Sequence, residues 1–454
     1  MAPPLIDRAR APRYDAGTLR YSLLGLLLVI GWLLVGEIGF AMRDRAVIPT
    51  ALEVLRRYGA SNHTVSVLLS GIPALLSLVM SPLIGPVSDR LRSRWGRRRP
   101  FLAVLAPLGG LALLGIAGSN RLGTIIAGIP GAGGAPAEHA LTVFAVCWTI
   151  FAGVLLCMQA LYTGLINDVL PRAWLGRFFG LYRVLSLGIG IGFYLWVFPL
   201  LDADPHRVIA LIAVIFTGMI LLMCAMVREG AYPPATPRPG AAAPPLARAR
   251  ATLAEAFTLP QSGWIYGALI LGGMAFGPFN TFSQYHAESL GVTKTELGEL
   301  SSLAYGVSMA LALMIGMLVD RIGAVRMSLY VMALYSVAVG AGYVLLADAA
   351  AFRHVYTAHV ILSGAYFTAA ASLPMALFPR LDFLRFCAFR DLLGSFLGIA
   401  LSFAQGAVLD RFGQDYRLTL LFAALCGATC ALCLARLAWA GHGRPDPPAA
   451  QGNR

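Results

Sequence analysis

The chain has 454 residues, of which 58% are hydrophobic and only 13% charged, where an ordinary soluble protein carries roughly 25% charged residues. A water-facing globule of this length would lack the polar surface to cover itself, which excludes a soluble enzyme, a disordered scaffold and a secreted disulfide module. The net charge of +13 does not indicate nucleic acid, because the basic residues sit in short clusters between apolar runs, as membrane topology requires.

Apolar runs of about 20 residues recur along the whole length, each enough to cross a bilayer core of about 30 Å. They predict spans at 20–42, 62–85, 100–118, 140–165, 178–201 and 207–227, and a second set at 263–285, 297–318, 327–347, 354–378, 391–409 and 416–438. The N-terminal stretch does not read as a cleavable signal, since its apolar run exceeds an h-region and no small-residue cleavage site follows cleanly. Residues 228–262 contain AYPPATPRPGAAAPP, a Pro/Ala-rich segment that cannot form a spanning helix. The expectation is an all-α polytopic membrane protein with twelve transmembrane helices in two pseudo-symmetric six-helix halves. The halves are 1–227 and 263–438, joined by a cytoplasmic linker at 228–262 and followed by a cytoplasmic tail at 439–454. Most basic residues then lie on the side of the termini, Arg90, Arg92, Arg94, Arg97, Arg98 and Arg99 among them. That distribution assigns both termini to the cytoplasm, with a bacterial inner membrane as the expected location.

Two echoes mark the halves as repeats. Gly85-Pro-Val-Ser-Asp89-Arg90 follows span 2, and Gly316-Met-Leu-Val-Asp320-Arg321-Ile-Gly323 follows span 8. Pro171-Arg172 with Arg177-Phe178 follows span 4, and Pro379-Arg380 with Arg385-Phe386 follows span 10. The interval between echoes is longer in the first half, which carries a Gly/Pro-rich outer loop at 119–139. Duplicated halves are the build of a carrier that rocks about a site at the bilayer midplane. A small Gly in the repeated loop lets two helices approach closely. Its Asp can cap a helix or bind an Arg, holding one conformation of a bistable pair.

On these motifs the chain resembles the major facilitator superfamily across all twelve spans. The loop after span 8 matches that signature closely. In the first copy five residues separate Asp89-Arg90 from Gly96-Arg97-Arg98-Arg99-Pro100, and this longer form resembles the sucrose/proton symporters and their animal relatives. Span 4 ends Met158-Gln159, Tyr162-Thr163 and Asn167-Asp168; Gln159 and Asp168 match the sucrose porters, while Thr163 departs from them by standing where they place an Arg. The resemblance implies the major facilitator fold and secondary transport of a small polar solute, foremost a sugar or glycoside. It further implies symport with a coupling cation, the proton favoured over sodium, by a chain that works as a monomer.

The candidate chemistry lies in spans 1, 4 and 7. Span 1 holds Glu37 and then Arg43, Asp44 and Arg45. A helix ending at 42 leaves that triplet as a solvated cap. The resemblance to major facilitators implies instead a long first helix broken by a proline, here Pro49, with Glu37, Asp44 and Arg45 facing the central cavity; positions 37 and 44 are seven apart, on one helix face. Charges at the midplane cost about 2.5–3.5 kcal/mol on insertion scales and usually function. Glu37 or Asp44 would titrate the proton, with Arg45 as partner or as donor to a sugar hydroxyl. In span 7, Asn280, Thr281, Ser283, Gln284 and Tyr285 offer amides, hydroxyls and a ring to a sugar, or equally serve as interhelical glue. Asp168 reads as a coupling residue or as a gate partner of Arg172 and Arg177. Arg183 and Asp391 occupy matching positions where an ion pair across the cytoplasmic mouth would form.

Other residues carry bland readings. His63, His139, His206, His286 and His354 are expected at outer surfaces, and His359 in packing. Cys426, Cys430 and Cys433 share a helix face without a His or carboxylate, so they read as small packing residues and no metal site is expected. No Gly-x4-Gly-Lys-Ser/Thr, HExxH or GxSxG string occurs, so neither an enzyme nor a cofactor is expected. Span 5 lacks the Gly-Pro-x-x-Gly-Gly pattern of the drug/proton antiporters. Two other readings stay open: carriage of another organic solute, including facilitated diffusion, and a non-transporting assembly factor of the same fold, as in delivery of pigment to light-harvesting complexes.

Overall fold

Hydrocarbon offers no water to satisfy amide groups, so each apolar run must satisfy them internally as helix. The computed structural model describes residues 14–16, 18–91, 93–131, 133–231, 257, 261–378 and 383–441, and it is helical along both halves. Span 1 runs Leu23–Arg57, span 2 covers 62–90, span 3 Arg99–Ala117, span 4 Pro136–Val169, span 5 covers 172–202, and span 6 Pro205–Met226. In the second half span 7 runs Ser262–Ser289, span 8 Lys294–Ile322, span 9 Ala324–Leu345 and span 10 Ala349–Ala370, with a short helix Leu373–Leu377 beyond it. Span 11 is Phe383–Arg411 and span 12 Leu418–Trp439. Among the described residues ten of these helices are long and apolar enough to cross a membrane, and the bent span 8 makes eleven. Large side chains such as Val104, Val214, Val337 and Leu432 stand exposed around the bundle, as a lipid-facing surface would have them.

The spans exceed the apolar runs because charged ends continue the helices past the hydrocarbon-length stretch. Several turns at the end of the bundle away from the termini are closed by caps: Ser61 accepts from the Thr64 amide (3.1 Å), Asp204 from the His206 and Arg207 amides (3.1 Å each), and Asp348 from Ala351 (2.8 Å). Each satisfies helix-end donors that have no partner inside the helix. We call this end distal and the end carrying the termini proximal.

One local expectation is corrected, and one element outside the spans is new. The outer loop at 119–139 contains a helix, Ser119–Ala127, whose Gly123 lies so close to the Pro136 carbonyl and the Ala140 backbone that no Cβ would fit. The segment before span 1 contains a two-stranded hairpin, Tyr14–Ala16 against Leu19–Tyr21. It is held by Tyr14 edge-on to Trp174 at 5.7 Å and by the Thr18 hydroxyl accepting from the Ala231 amide at 2.8 Å. Of the 228–262 linker, residues 232–256 and 258–260 lie outside the described residues, as does Arg380.

Three spans contain a wide π-turn: Arg43–Val47 in span 1, Val67–Gly71 in span 2 and Phe193–Val197 in span 5. Each ends two residues before a proline, at Pro49, Pro73 and Pro199. A proline has no amide hydrogen and its ring clashes with the preceding turn, and the wider turn absorbs both defects without ending the helix.

Candidate functional site

Spans 1, 5, 7, 8 and 10 enclose a cavity of about 480 Å³ between the halves. Span 1 supplies Asp44, Arg45 and Pro49 to its wall, span 5 supplies Arg183 and Tyr194, and span 7 supplies Asn280, Ser283 and Gln284. Tyr305 and Ser308 come from span 8, and Tyr356 and Phe367 from span 10. The Arg45 guanidinium lies 4.8 Å from the centroid of the Tyr305 ring, and Gly190 of span 5 leaves room for both. Asp44 is ion-paired with its neighbour Arg43, which stands outside the wall. Gln284 is 4% exposed, and its Nε2 has no hydrogen-bond partner among the described residues; the same holds for Ser308 Oγ and Arg45 Nε. Asn280 is held from behind: its Oδ1 lies 2.9 Å from His359 Nε2, and His359 Nδ1 lies 3.1 Å from the Tyr335 hydroxyl. The cavity thus offers unpaired donors, one carboxylate and several aromatic faces.

The long first helix is what the structure adopts, and it brings Asp44, Arg45, Asn280 and Gln284 together. Other expected members lie elsewhere. Glu37 is buried at 1% exposure inside the first half, beside Tyr182 and Tyr162, and not in the cavity wall. Glu37 lies about two helical turns before Asp44, where Tyr162 and Tyr182 of the first half pack around it. Tyr285 donates its hydroxyl to the Leu52 carbonyl across the halves at 2.8 Å, and so acts as interhelical glue. Thr281 bonds the Gly277 carbonyl of its own helix. Gln159 is exposed on span 4 outside the wall, its carbonyl accepting from Thr163 at 2.9 Å. His286, expected at the surface, is buried against Phe352 and Tyr416.

At the distal end the halves are locked by charge. Glu53, fully buried, takes Arg56 at 2.8 Å, Arg57 at 3.1 Å and, from the other half, Lys294 at 3.0 Å. Lys294 also meets Asp202 at 2.5 Å and Glu288 at 3.4 Å, and Arg56 reaches Glu288 at 3.2 Å. Beside this cluster Asp410 of span 11 accepts from the amides of Asn62 and His63 at 3.0 and 2.9 Å, capping span 2 from the opposite half. Sequence reading passed over this cluster, although its signals were present. Glu53 stands in a run of apolar residues, and Lys294 is the single lysine of the chain.

At the proximal end Asp168 binds Arg97 (2.8 Å) and Arg98 (2.6 Å), which were not among its expected partners; the Arg172 side chain lies outside the described ones. Arg177 instead lies over the Trp174 ring at 4.8 Å. Arg99 donates through Nε to the Cys224 carbonyl at 2.8 Å. Glu229, which no motif flagged, accepts from the amides of Arg97, Arg98 and Arg99 at 3.0, 3.0 and 2.7 Å, placing an anion at the N-terminus of span 3. Its carboxyl lies where a Cβ on Gly96 would fall, and Gly96 has φ +101°, so both space and backbone require glycine there. Gly85, Asp89 and Arg90 end span 2, Arg172 opens span 5, and Arg385 lies near the start of span 11. Asp320 and Arg321 are exposed at the end of span 8 without an ion pair among the described residues, and Gly316 lies in that helix. Gly323, at φ +87°, separates spans 8 and 9. The expected Arg183–Asp391 pair does not form: Asp391 pairs with Arg390 at 2.6 Å, and Arg183 faces the cavity. Cys430 packs against span 7, its thiol donating to the Ala268 carbonyl at 3.2 Å.

Residues 33–382 match the sequence profile of the Major Facilitator Superfamily. The chain is 28% identical over 407 residues to solute carrier family 45 member 3 of Macaca fascicularis, covering 77% of this chain and 69% of that protein. It is 42% identical over 91 residues to the proton-associated sugar transporter A of Homo sapiens, covering 19% of this chain and 12% of the relative. Among solved structures it is similar to a D-xylose-proton symporter, with a TM-score of 0.66 at 14% identity over 90% of this chain and 97% of the other. It is also similar to a nucleoside transporter, with a TM-score of 0.67 at 13% identity over 90% and 99%. At such identities the structural likeness shows the fold alone. These relatives are transporters rather than enzymes, and the profile match spans most of the chain: the protein belongs to the Major Facilitator Superfamily and is a multi-pass membrane transporter of a solute.

Proposed function

We propose that the chain carries a small polyhydroxylated solute, a sugar or glycoside, by proton-coupled symport with alternating access, as a monomer. The observation that carries this reading is the cavity between the halves, where Gln284 Nε2 and Ser308 Oγ are buried without partners among the described residues. A buried donor left unpaired costs about 1–3 kcal/mol, and the hydroxyls of a sugar would satisfy both. The rings of Tyr194, Tyr305 and Phe367 offer apolar surface to the faces of a pyranose. Glu37, with Oε2 unpartnered among the described residues, is the proton site in this reading, and Asp44 and Arg45 relay its state to the cavity. The halves 1–227 and 263–438 rock about the cavity, joined by the linker at 228–262. The proximal end, with both termini and the 439–454 tail, faces the cytoplasm of a bacterial inner membrane. The locked distal end then belongs to the inward-facing stage, with Asp168 and Arg97–Arg99 as parts of the opposite gate. The name of the sugar-transporter relative points the same way.

The test is uptake into proteoliposomes of labelled sucrose, maltose, glucosides and pentoses, with and without an inward proton gradient. Accumulation of at least one sugar driven by the gradient is expected. Flux that equilibrates without regard to pH replaces symport by facilitated diffusion, and no sugar flux from folded protein removes the sugar reading.

A further inference from the structure

The charges of the cavity do not balance. Of the residues in its wall only Asp44, Arg45 and Arg183 are charged, and the second half contributes none. Asp44 is already engaged by Arg43. Arg45 and Arg183 make no salt bridge among the described residues; Arg45 lies against Tyr305 and within the field of Asp44, but its Nε is buried without a partner. The electrostatic neighbours of Arg183 are Arg45, Tyr305 and Tyr182, with no carboxylate among them. Glu37 senses Asp44 and Arg45 from behind, beside Tyr182, but pairs with neither arginine among the described residues. Two like charges thus share one cavity wall, each partly buried, where the surrounding protein screens their repulsion less than bulk water would. An arginine fork is shaped to take an oxyanion through two parallel hydrogen bonds.

We infer that the solute is an anion: a hydroxylated ring bearing a carboxylate or phosphate, bound between Arg45 and Arg183. This rests on the sugar reading above and narrows it. The acid group lies against spans 1 and 5, and the hydroxyls turn to the neutral amides and hydroxyls of Asn280, Ser283, Gln284 and Ser308. Charge-assisted hydrogen bonds to the two guanidiniums give the acid an advantage of about tenfold or more over its neutral counterpart.

The experiment is equilibrium binding to the purified full chain of glucose, glucuronate, glucose 6-phosphate and succinate, measured by calorimetry. Glucuronate or glucose 6-phosphate is expected to bind at least about tenfold more tightly than glucose, and whichever is the tighter names the acid. In Arg183→Gln that ratio falls toward one, while Arg183→Lys, which keeps the charge and loses the fork, retains part of it. Equal affinities for glucose and both acids overturn the inference and leave the sugar reading standing. A ratio unchanged in Arg183→Gln overturns it as well. Tight binding of succinate with no binding of any sugar keeps the anion and removes the sugar. No binding of any probe, by protein whose thermal unfolding is cooperative, overturns both.

Discussion

Glu37 is a carboxyl enclosed by the Tyr162 and Tyr182 side chains, about two turns of helix behind the charged wall of the cavity. Phe40 stacks on Tyr162 at 4.5 Å, and Tyr162 donates to the Leu33 carbonyl at 2.7 Å, so the pocket around Glu37 is rigid. An ionisable group so placed has a function by default, and its distance from the wall separates protonation from direct solute contact. In Glu37→Gln the amide keeps the shape but releases no proton. Solute binding is expected to stay within about threefold of wild type, while gradient-driven accumulation falls to simple equilibration. Counterflow exchange in proteoliposomes distinguishes the two, and undiminished accumulation would remove Glu37 from the coupling scheme.

At the level of elements, the first helix places Asp44 and Arg45 through its wide turn, and span 5 receives them through a glycine. A Cβ on Gly190 would fall 2.9 Å from the Tyr305 ring and 3.2 Å from Arg45 Cδ. The site therefore depends on a missing side chain in the middle of an apolar helix. Gly190→Val is expected to displace Tyr305 and Arg45 and to weaken solute binding by about tenfold, from an overpacking cost of about 1–3 kcal/mol. Gly188→Val on the same helix, where nothing lies within 4 Å of a Cβ, is the control and should bind as wild type. Equal binding by both variants would show that Gly190 is no part of the site. The wide turns themselves were legible in part: a mid-span proline at 49 signals a break, but its form as a π-turn follows from the need to keep the chain helical in lipid.

For the whole molecule, the distal cluster decides which end is closed. Glu53 has no exposure and three cationic partners, of which only Lys294 comes from the other half. Removing one member of a buried charge network costs about 3–5 kcal/mol, and here that cost falls on the distal-closed state alone, because opening separates Lys294 from Glu53. Lys294→Met is expected to shift the population toward the distal-open state. An impermeant maleimide added at the distal side of vesicles should then label Ser283→Cys, in the cavity wall, at least about tenfold faster than in the Lys294 background. An unchanged labelling rate would mean that close backbone packing, Gly406 of span 11 against His63 of span 2 and Gly298 of span 8 against the Tyr194 carbonyl of span 5, rather than the charges, holds that end shut.

Hydropathy and repeats determined that this chain is a membrane protein of twelve spans in two halves, while the family resemblance and residue type offered Asp44, Arg45, Asn280 and Gln284 as candidates for a cavity. Those are properties of one helix against lipid, or of one half against its duplicate, and they are written locally. Tertiary structure decided the rest. Glu37 left the cavity wall because Tyr162 of span 4 and Tyr182 of span 5 close around it. Tyr285 became a strut between halves because Leu52 lies opposite it. Asp168 took Arg97 and Arg98 from the loop before span 3, and Arg183 turned to the cavity instead of to Asp391. Lys294 found Glu53 across 241 positions of sequence. A charged side chain in a low-dielectric interior takes whichever partner the packing of separate helices brings within reach, and no local pattern records which one that is.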